Sequence, residues 1–483
     1  MKTLIEGGWV VAYNGRSHEV YERGGVVIDN DTIVHAGGPY TGAVDQTISA
    51  RGKLVCPGFI NTHVHTAGGG GDYLLLDMAK NDYRTANYMS FAAPLKGTMT
   101  PPPADAVAAL RTFVFLHALR NGTTTVIDVG GLRGDWEGYA RLVDDLGVRV
   151  YAGPAFRDRE TYMDAKGRLT YEEDTAVGQA RLREAIDFVR KYDGSAQGRL
   201  RGMLNAAQVE TCTESLLRAG KDAARDLKAP IHTHAGGNLI EFQRIIEEYR
   251  KTPVQFLADI GFLDERTLLG HVVFTTAHAW PRYPFGDDLR VLAQTGATVG
   301  HCPYKYAKMA MTLQSFQRYL EAGVNLAIGT DTYPMDIVAE LRWASMLAKV
   351  TDGNYQAGLP RDVFNAATLG GCKFLGRTDL GRLAPGAKAD ILLIDLDQLG
   401  APVYLDPIKA LVDGASGRDV DTVIVDGKVL VQGGRLTRVD EAEIYAKARK
   451  ATEQYWSRVP GWRWDGASVD RIIPAAFPIR RSS

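Results

Sequence analysis

The chain has little cysteine, no block of one charge sign and no long apolar run, and each absence narrows what it does. Its 483 residues include four cysteines, at positions 56, 212, 302 and 372, none in a C-x-x-C spacing. Such dispersed thiols read as reduced and buried rather than as a disulfide framework or a thiolate metal site. Any bound metal therefore has to use nitrogen and oxygen. Lysine and arginine are scattered and the formal net charge is −1, which argues against nucleic acid or an anionic membrane as partner. Small neutral molecules fit better. The start, MKTLIEGGWVVAYNG, meets a glutamate at position 6, so it reads as neither signal peptide nor membrane anchor, and the cytoplasm is the expected compartment.

What is present is a soluble enzyme's composition, 45% apolar and 23% charged, enough for one large core or two unequal ones. Residues 1–56 read as short strands, with Val26-Val27-Ile28, a polar Asp29-Asn30-Asp31 turn and Thr32-Ile33-Val34 forming a hairpin pattern. The same texture returns over 383–440, where Asp426-Gly427 suits a tight turn between two β-branched runs. The two chain ends are expected to build one small β-sandwich. Between them, over 57–382, short apolar runs at 58–62, 124–128, 148–152, 201–205, 229–234, 267–271, 297–301 and 325–330 alternate with helical segments such as 104–120, 213–228, 238–251 and 362–375. Eight such units predict an α/β fold with a closed parallel (β/α)8 barrel, whose active site lies at the carboxyl ends of the strands. Residues 441–483 form a helical extension carrying Trp462 and Trp464, expected to dock on the barrel or on a second copy in a homo-oligomer.

The chemistry-bearing residues fall at those strand ends. His63 and His65 follow the first strand, His232 and His234 end the fifth, His271 ends the sixth and Asp331 follows the eighth. Two histidines separated by one residue in extended backbone project to the same side and reach one ion together. His234 lies nearer the rim than His232, which favours His234 as ligand and leaves His232 a role in packing or in supporting the ligands. Histidine and carboxylate form the ligand set of a catalytic divalent metal that activates water at neutral pH. Zinc is the first expectation, with iron, cobalt or manganese accepted by the same donors. Asp331 would also be the general base.

The segments PGFINTHVHT, GTTTVID, IHTHAGG, LLGHVV, TVGHCP, AIGTDT and GRLAPGAKADILLID occur in the order seen in the metal-dependent amidohydrolase superfamily, and the chain resembles its cytosine deaminase and triazine hydrolase branch over about residues 50–435. The resemblance implies a distorted barrel with a two-ended sandwich, one metal on His63, His65, His234 and Asp331, and His271 beside the reacting water. It also exposes departures. Where deaminases of this branch carry a proton-shuttling glutamate, three residues after the strand-five histidine, this chain has Gly237. The strand-four loop, where relatives often present a histidine, reads Ala206-Ala207-Gln208-Val209-Glu210.

The missing glutamate moves the expectation from ring deamination to hydrolysis of an amide, urea or carbamate C–N bond. Asp331 would take the water's proton and pass it to the leaving amine while His271 stabilises the oxyanion. Glu210, His278 and His301 are the candidate replacement acids. Deamination or dechlorination of a nitrogen heterocycle stays as the alternative, and a non-catalytic scaffold as the alternative of another class. No lysine stands in RLRGMLNAAQ to bridge two metals, which favours one. Gln208, Glu210, Phe274, His278 and Tyr304 are the candidate substrate contacts. Tyr73, Phe156, Trp280, Tyr283, Phe285, Tyr306 and Tyr333 extend an aromatic set suited to a flat substrate, and Gly68 to Gly71 suit a pliant loop over the site.

Each assignment has a plainer reading. His301 is as readily a core histidine as a catalytic one, Glu210 and His278 read first as solvated loop residues, and the aromatic residues as packing. His18 and His35 belong with the sandwich and His117 with helix packing.

Overall fold

The computed structural model describes residues 1–66, 94–98, 102–130, 132, 134–398, 400 and 403–480. Tyr73 and the Gly68–Gly71 run lie outside the described residues.

The two chain ends share one sheet. Strands Lys2–Tyr13, His18–Asp29, Thr32–Gly37, Gln46–Ser49 and Lys53–Pro57 join Ile391–Asp395, Val420–Val425, Lys428–Gln432 and Arg435–Leu436 in nine strands, with Lys53–Pro57 antiparallel to Ile391–Asp395 across the junction. Ile5, Val10, Val26, Ile33, Val55, Ile391 and Ile424 fill its apolar interior. The turn between Val420–Val425 and Lys428–Gln432 has Asp426 and Gly427 at φ 47° and 73°, the left-handed pair that a two-residue hairpin requires.

Eight strand regions form the barrel in two arcs. The first runs Phe59–Val64, Thr123–Asp128, Arg149–Ala152 and Leu200–Gly202, and the second Ala155–Phe156, Leu204–Gln208, Ile231–Ala235, Thr267–His271, Thr298–His301 and Asn325–Ile328. The arcs meet where Met203 N–H donates to the Ala152 carbonyl at 2.9 Å, and again where Asp331 N–H donates to the His63 carbonyl at 2.7 Å and His65 N–H returns to the Asp331 carbonyl at 3.0 Å. The fourth strand region departs from the expected 201–205. The chain pairs with the third strand over Leu200–Gly202 and, after a break at Met203, runs on as Leu204–Gln208 between Ala155–Phe156 and the fifth strand. The break at Met203 is an irregularity of the barrel, and the continued strand carries Gln208 to the rim opposite His234.

Helices cover the barrel, among them Ala104–Arg120, Glu214–Asp226 and Leu239–Tyr249. Barrel and end sheet are tied by Arg149, buried in the third strand, which donates to both oxygens of Asp390 at 3.1 and 3.2 Å and also bonds Asp426. A buried guanidinium is tolerable because it meets two carboxylates. The extension forms helix Glu441–Trp462, whose Ala448 and Ala451 pack on Ala106 and Leu110 of the first barrel helix. Its Trp462 carbonyl accepts from Leu95 N–H at 2.9 Å. The tail thus docks on its own chain. Among the described residues no helix is long and apolar enough to cross a membrane.

Candidate metal centre

The site is built where the first and last strands touch. Asn61 Nδ2 donates to Thr330 Oγ1 at 2.9 Å and Thr330 N–H returns to Asn61 Oδ1 at 3.0 Å, a reciprocal buried clamp that fixes the position of His63 against Asp331. Two glycines make room for the imidazole. A Cβ on Gly270 would lie 2.7 Å from His63 Cε1, and one on Gly329 would lie 2.8 Å from His63 Cβ, so neither position accepts a side chain without moving this histidine. Beyond His65 the chain is held by Asp128, the last residue of the second strand, which accepts from Thr66 Oγ1 at 2.5 Å and from Tyr139 Oη at 2.8 Å.

The donor atoms converge. His65 Nε2 stands 3.3 Å from His234 Nε2 and 3.4 Å from Asp331 Oδ1. His63, His65 and Asp331 form one cluster whose ligand atoms all lie within 4.8 Å, and His63 with His232 and His234 forms another. Both ring nitrogens of His63, and Asp331 Oδ1, are buried without a hydrogen-bond partner among the described residues. Orphaned donors and acceptors of this kind are rare in a folded interior, and a divalent ion would satisfy Asp331 Oδ1 and one of the two His63 nitrogens. Burial holds His63 and His65 below the ordinary imidazole range, and His234 down at about 3, so each ring is in the neutral form that ligates metal.

His232 and His234 have different anchors. His234 Nδ1 donates to the Ala207 carbonyl at 2.5 Å, which fixes the tautomer and leaves Nε2 facing His65. His232, fully buried, donates Nδ1 to Asn205 Oδ1 at 2.9 Å. The other side of the Asp331 carboxylate is also populated: Oδ2 lies 3.3 Å from His271 Nε2 and pairs with Lys305 Nζ. His271 and Asp331 both sit at positive φ, 80° and 64°, an uncommon backbone for these residues that the surrounding structure imposes and that clusters at functional sites.

The remaining expected site residues scatter. His301 ends the seventh strand, but its ring packs on Phe316 at 6.0 Å, and burial lowers it to about 3. Phe274 is fully buried with its ring on His278 and Trp280. Tyr304 is half-buried, its N–H donating to Glu340 at 2.9 Å and its ring against Trp343. The solvated reading of Glu210 and His278 is overturned: they are 1% and 3% exposed. His278 Nδ1 accepts Trp280 N–H at 3.1 Å and thereby braces its own loop, while Glu210 is enclosed by the helix and strand packed on its turn. Cys302 Sγ reaches within 4.8 Å of His271 and Asp331, yet burial keeps it a thiol.

Two residues of the site, Lys305 and Glu241, went unread in the sequence, and Tyr306 figures there only in the aromatic set. Lys305 is visible only through its contact with Asp331. Tyr306 closes over Gly237: its hydroxyl donates to the Gly237 carbonyl at 3.1 Å, and its ring lies 4.8 Å from that of His271. Glu241, in what reads as an ordinary helix start, turns its carboxylate back onto the Gly236 and Gly237 N–H groups.

Residues 54–430 match the amidohydrolase family. The chain belongs to that family: it is a metal-dependent enzyme hydrolysing carbon–nitrogen bonds other than peptide bonds, with a divalent ion as cofactor. It is 30% identical to the 5'-deoxyadenosine deaminase of Methanosarcina mazei over 94% of this chain and 99% of that one. It is 31% identical to the 5-methylthioadenosine/S-adenosylhomocysteine deaminase of Halobacterium salinarum over 90% and 94%. In fold it is similar to an adenosine deaminase of Xanthomonas campestris solved with zinc (TM-score 0.75, 23% identity, 94% of this chain and 98% of that one). It is likewise similar to the atrazine chlorohydrolase of Arthrobacter aurescens complexed with zinc (TM-score 0.75, 23% identity, 93% and 100%).

Proposed function

We propose that this enzyme hydrolyses an amide, urea or carbamate C–N bond of a small aromatic or heteroaromatic substrate, and that His63, His65, His234 and Asp331 hold its single ion, zinc. When bound, the ion polarises the substrate carbonyl and brings a water's pKa to about 7. Asp331 accepts the proton released by that water, its carboxylate held in place by Lys305. His271, 3.3 Å from the same carboxylate, stabilises the oxyanion that forms on the carbonyl. Gln208 and Glu210, at the rim beyond the fourth strand, contact the substrate. His301 keeps a supporting catalytic role from the end of the seventh strand.

One observation carries the choice of bond. Position 237 has no side chain, and a Cβ there would stand 2.9 Å from the Tyr306 hydroxyl. The space a ring-protonating glutamate would need is filled by a tyrosine, which favours a carbonyl substrate with no ring nitrogen to protonate. Ring deamination is the second reading, favoured by the deaminase names of the curated relatives. Product analysis on a panel of anilides, phenylureas, carbamates and aminoheterocycles separates the two. Release of an organic amine supports the first reading, and release of ammonia from a ring amine replaces it with the second.

The reading also includes a cytoplasmic setting and a homo-oligomer with the 441–483 extension at its interface. Exposed Tyr445, Trp464 and Phe477 on that extension support the interface. Light scattering that finds the same mass with and without residues 459–483 would remove it.

A further inference from the structure

The amino ends of the barrel strands carry a second concentration of charge, away from the metal centre. A cavity of about 180 Å³ opens there, lined by Arg201, Lys228, Arg266 and Arg377 together with Asp193 and Tyr151. Lys228 stands three residues before strand Ile231–Ala235, and Arg266 directly precedes strand Thr267–His271. The far ends of these two strands carry His234 and His271, so at about 3.3 Å of rise per residue the cavity lies about 15 Å from those rings.

The four cations differ in how far they are neutralised. Arg201 donates to both oxygens of Asp193 at 2.7 and 3.3 Å, and Arg377 to both oxygens of Asp379 at 2.6 and 2.8 Å. Arg377 Nη1 also donates to Tyr151 Oη at 3.1 Å. Among the described residues no carboxylate pairs with Arg266 or with Lys228. Arg266 is nevertheless fixed in place: its carbonyl accepts the Ile231 N–H at 3.0 Å and its Nη2 donates to the Lys228 carbonyl at 3.1 Å. Its Nη1 lies so close over Gly376 that an added Cβ would collide with it. Its Nε is buried without a hydrogen-bond partner among the described residues.

A buried guanidinium N–H without an acceptor is costly, and cations gathered on one cavity repel one another. The repulsion reaches across the cavity, where the Arg377 charge works against the Asp193 hydrogen bonds that raise Arg201. An anion in the cavity offsets both costs. Two positive charges, Arg266 and Lys228, remain after the two aspartates have taken their partners, and a phosphate group brings about −1.5 to −2 at neutral pH. Planar guanidinium forks suit its oxygens. The cavity is smaller than the roughly 300–1,000 Å³ of pockets for drug-sized ligands, which fits a phosphate with little or no substituent rather than a nucleotide.

We propose that this cavity binds a small phosphate dianion, either the free ion or a small monoester, with Arg266 and Lys228 as its main ligands and Arg201 and Arg377 completing the cationic wall. The site is separate from the metal centre and independent of the reaction proposed above. A bound phosphate joins the segments that lead into strands five and six to the turn at Gly376, and it stabilises the folded chain by mass action.

The test is calorimetric titration of the zinc-loaded protein with sodium phosphate at fixed ionic strength, repeated on metal-stripped protein because phosphate also binds zinc. The expected result is one saturable site per chain in both forms. Lys228→Ala, which alters an exposed side chain, should weaken it about tenfold or more, and Lys228→Ala/Arg266→Gln should abolish it while zinc content stays that of wild type. Should the double variant not fold, Lys228→Ala alone decides. Acetate, with one charge, should bind at least tenfold more weakly than phosphate. Glycerol 3-phosphate separates the two sources: binding tighter than phosphate assigns a monoester, and weaker binding assigns the free ion. No saturable heat, a site that disappears with the zinc, binding unchanged in Lys228→Ala, or acetate binding as tightly as phosphate overturns the proposal.

Discussion

The Tyr306 hydroxyl donates to the Gly237 carbonyl at 3.1 Å and stands 2.9 Å from where a Cβ on that residue would lie. The two positions are therefore one structural unit, in which the tyrosine's place depends on the glycine. Restoring glutamate at 237 should not restore a deaminase. Gly237→Glu is expected to cost about 1–3 kcal/mol through overpacking, measured by urea unfolding. In a double-mutant cycle with Tyr306→Phe, part of that cost should vanish, since the obstructing oxygen is gone. Strict additivity would show that the two side chains do not compete for the space.

Gly270 makes a second steric prediction. Gly270→Ala places a methyl 2.7 Å from His63 Cε1 and 3.1 Å from His232 Nε2, and should lower metal occupancy as well as stability. Gly300→Ala, on the next strand, meets Leu268 at an ordinary 3.4 Å and should do neither. Metal analysis beside thermal melts of the two variants checks this.

Lys305 and the metal draw on one carboxylate. In metal-free protein Lys305→Met leaves Asp331 buried without its cation, a loss of about 3–5 kcal/mol for a broken buried pair. The same change removes a positive charge from beside the ion, so zinc should bind more tightly. Calorimetric titration with zinc and melts with and without it should show the gap between variant and wild type narrowing as the metal saturates. A variant weaker in zinc affinity than wild type would contradict this.

Stability should fall on the acid side. Burial lowers His278 and His18 to about 4 from an ordinary value of 6.5. Below pH 6.5 the unfolded chain takes up protons that the folded chain refuses, so stability is lost as pH falls from about 6.5 to 4. Each histidine contributes a few kcal/mol at most across that window. His278→Asn should flatten the slope by up to one proton in urea melts between pH 7 and 4.5.

The strand-end placement of the histidines was legible because a spacing of two and a count of strands are local properties. His63, His65, His234 and Asp331 could be set at one rim before any coordinate was known. The hairpin at Asp426-Gly427 was legible for the same reason. The continuation of strand four to Gln208 was not, because the break at Met203 depends on how the neighbouring strands diverge. Nor were Lys305 and Glu241, which look like solvated charges on helix starts and are pulled inward by Asp331 and by the Gly236 and Gly237 amides. Glu210 read as a loop carboxylate because its burial comes from a helix and a strand distant in sequence.

The claim on which the rest depends is that His63, His65, His234 and Asp331 hold one divalent ion, and metal analysis of purified protein tests it most directly. Wild type and His278→Asn should each carry one equivalent of divalent metal per chain, zinc foremost, while His63→Ala and Asp331→Asn fall well below half. A wild-type protein that stays substoichiometric after zinc supplementation, or variants that keep a full equivalent, would contradict the assignment.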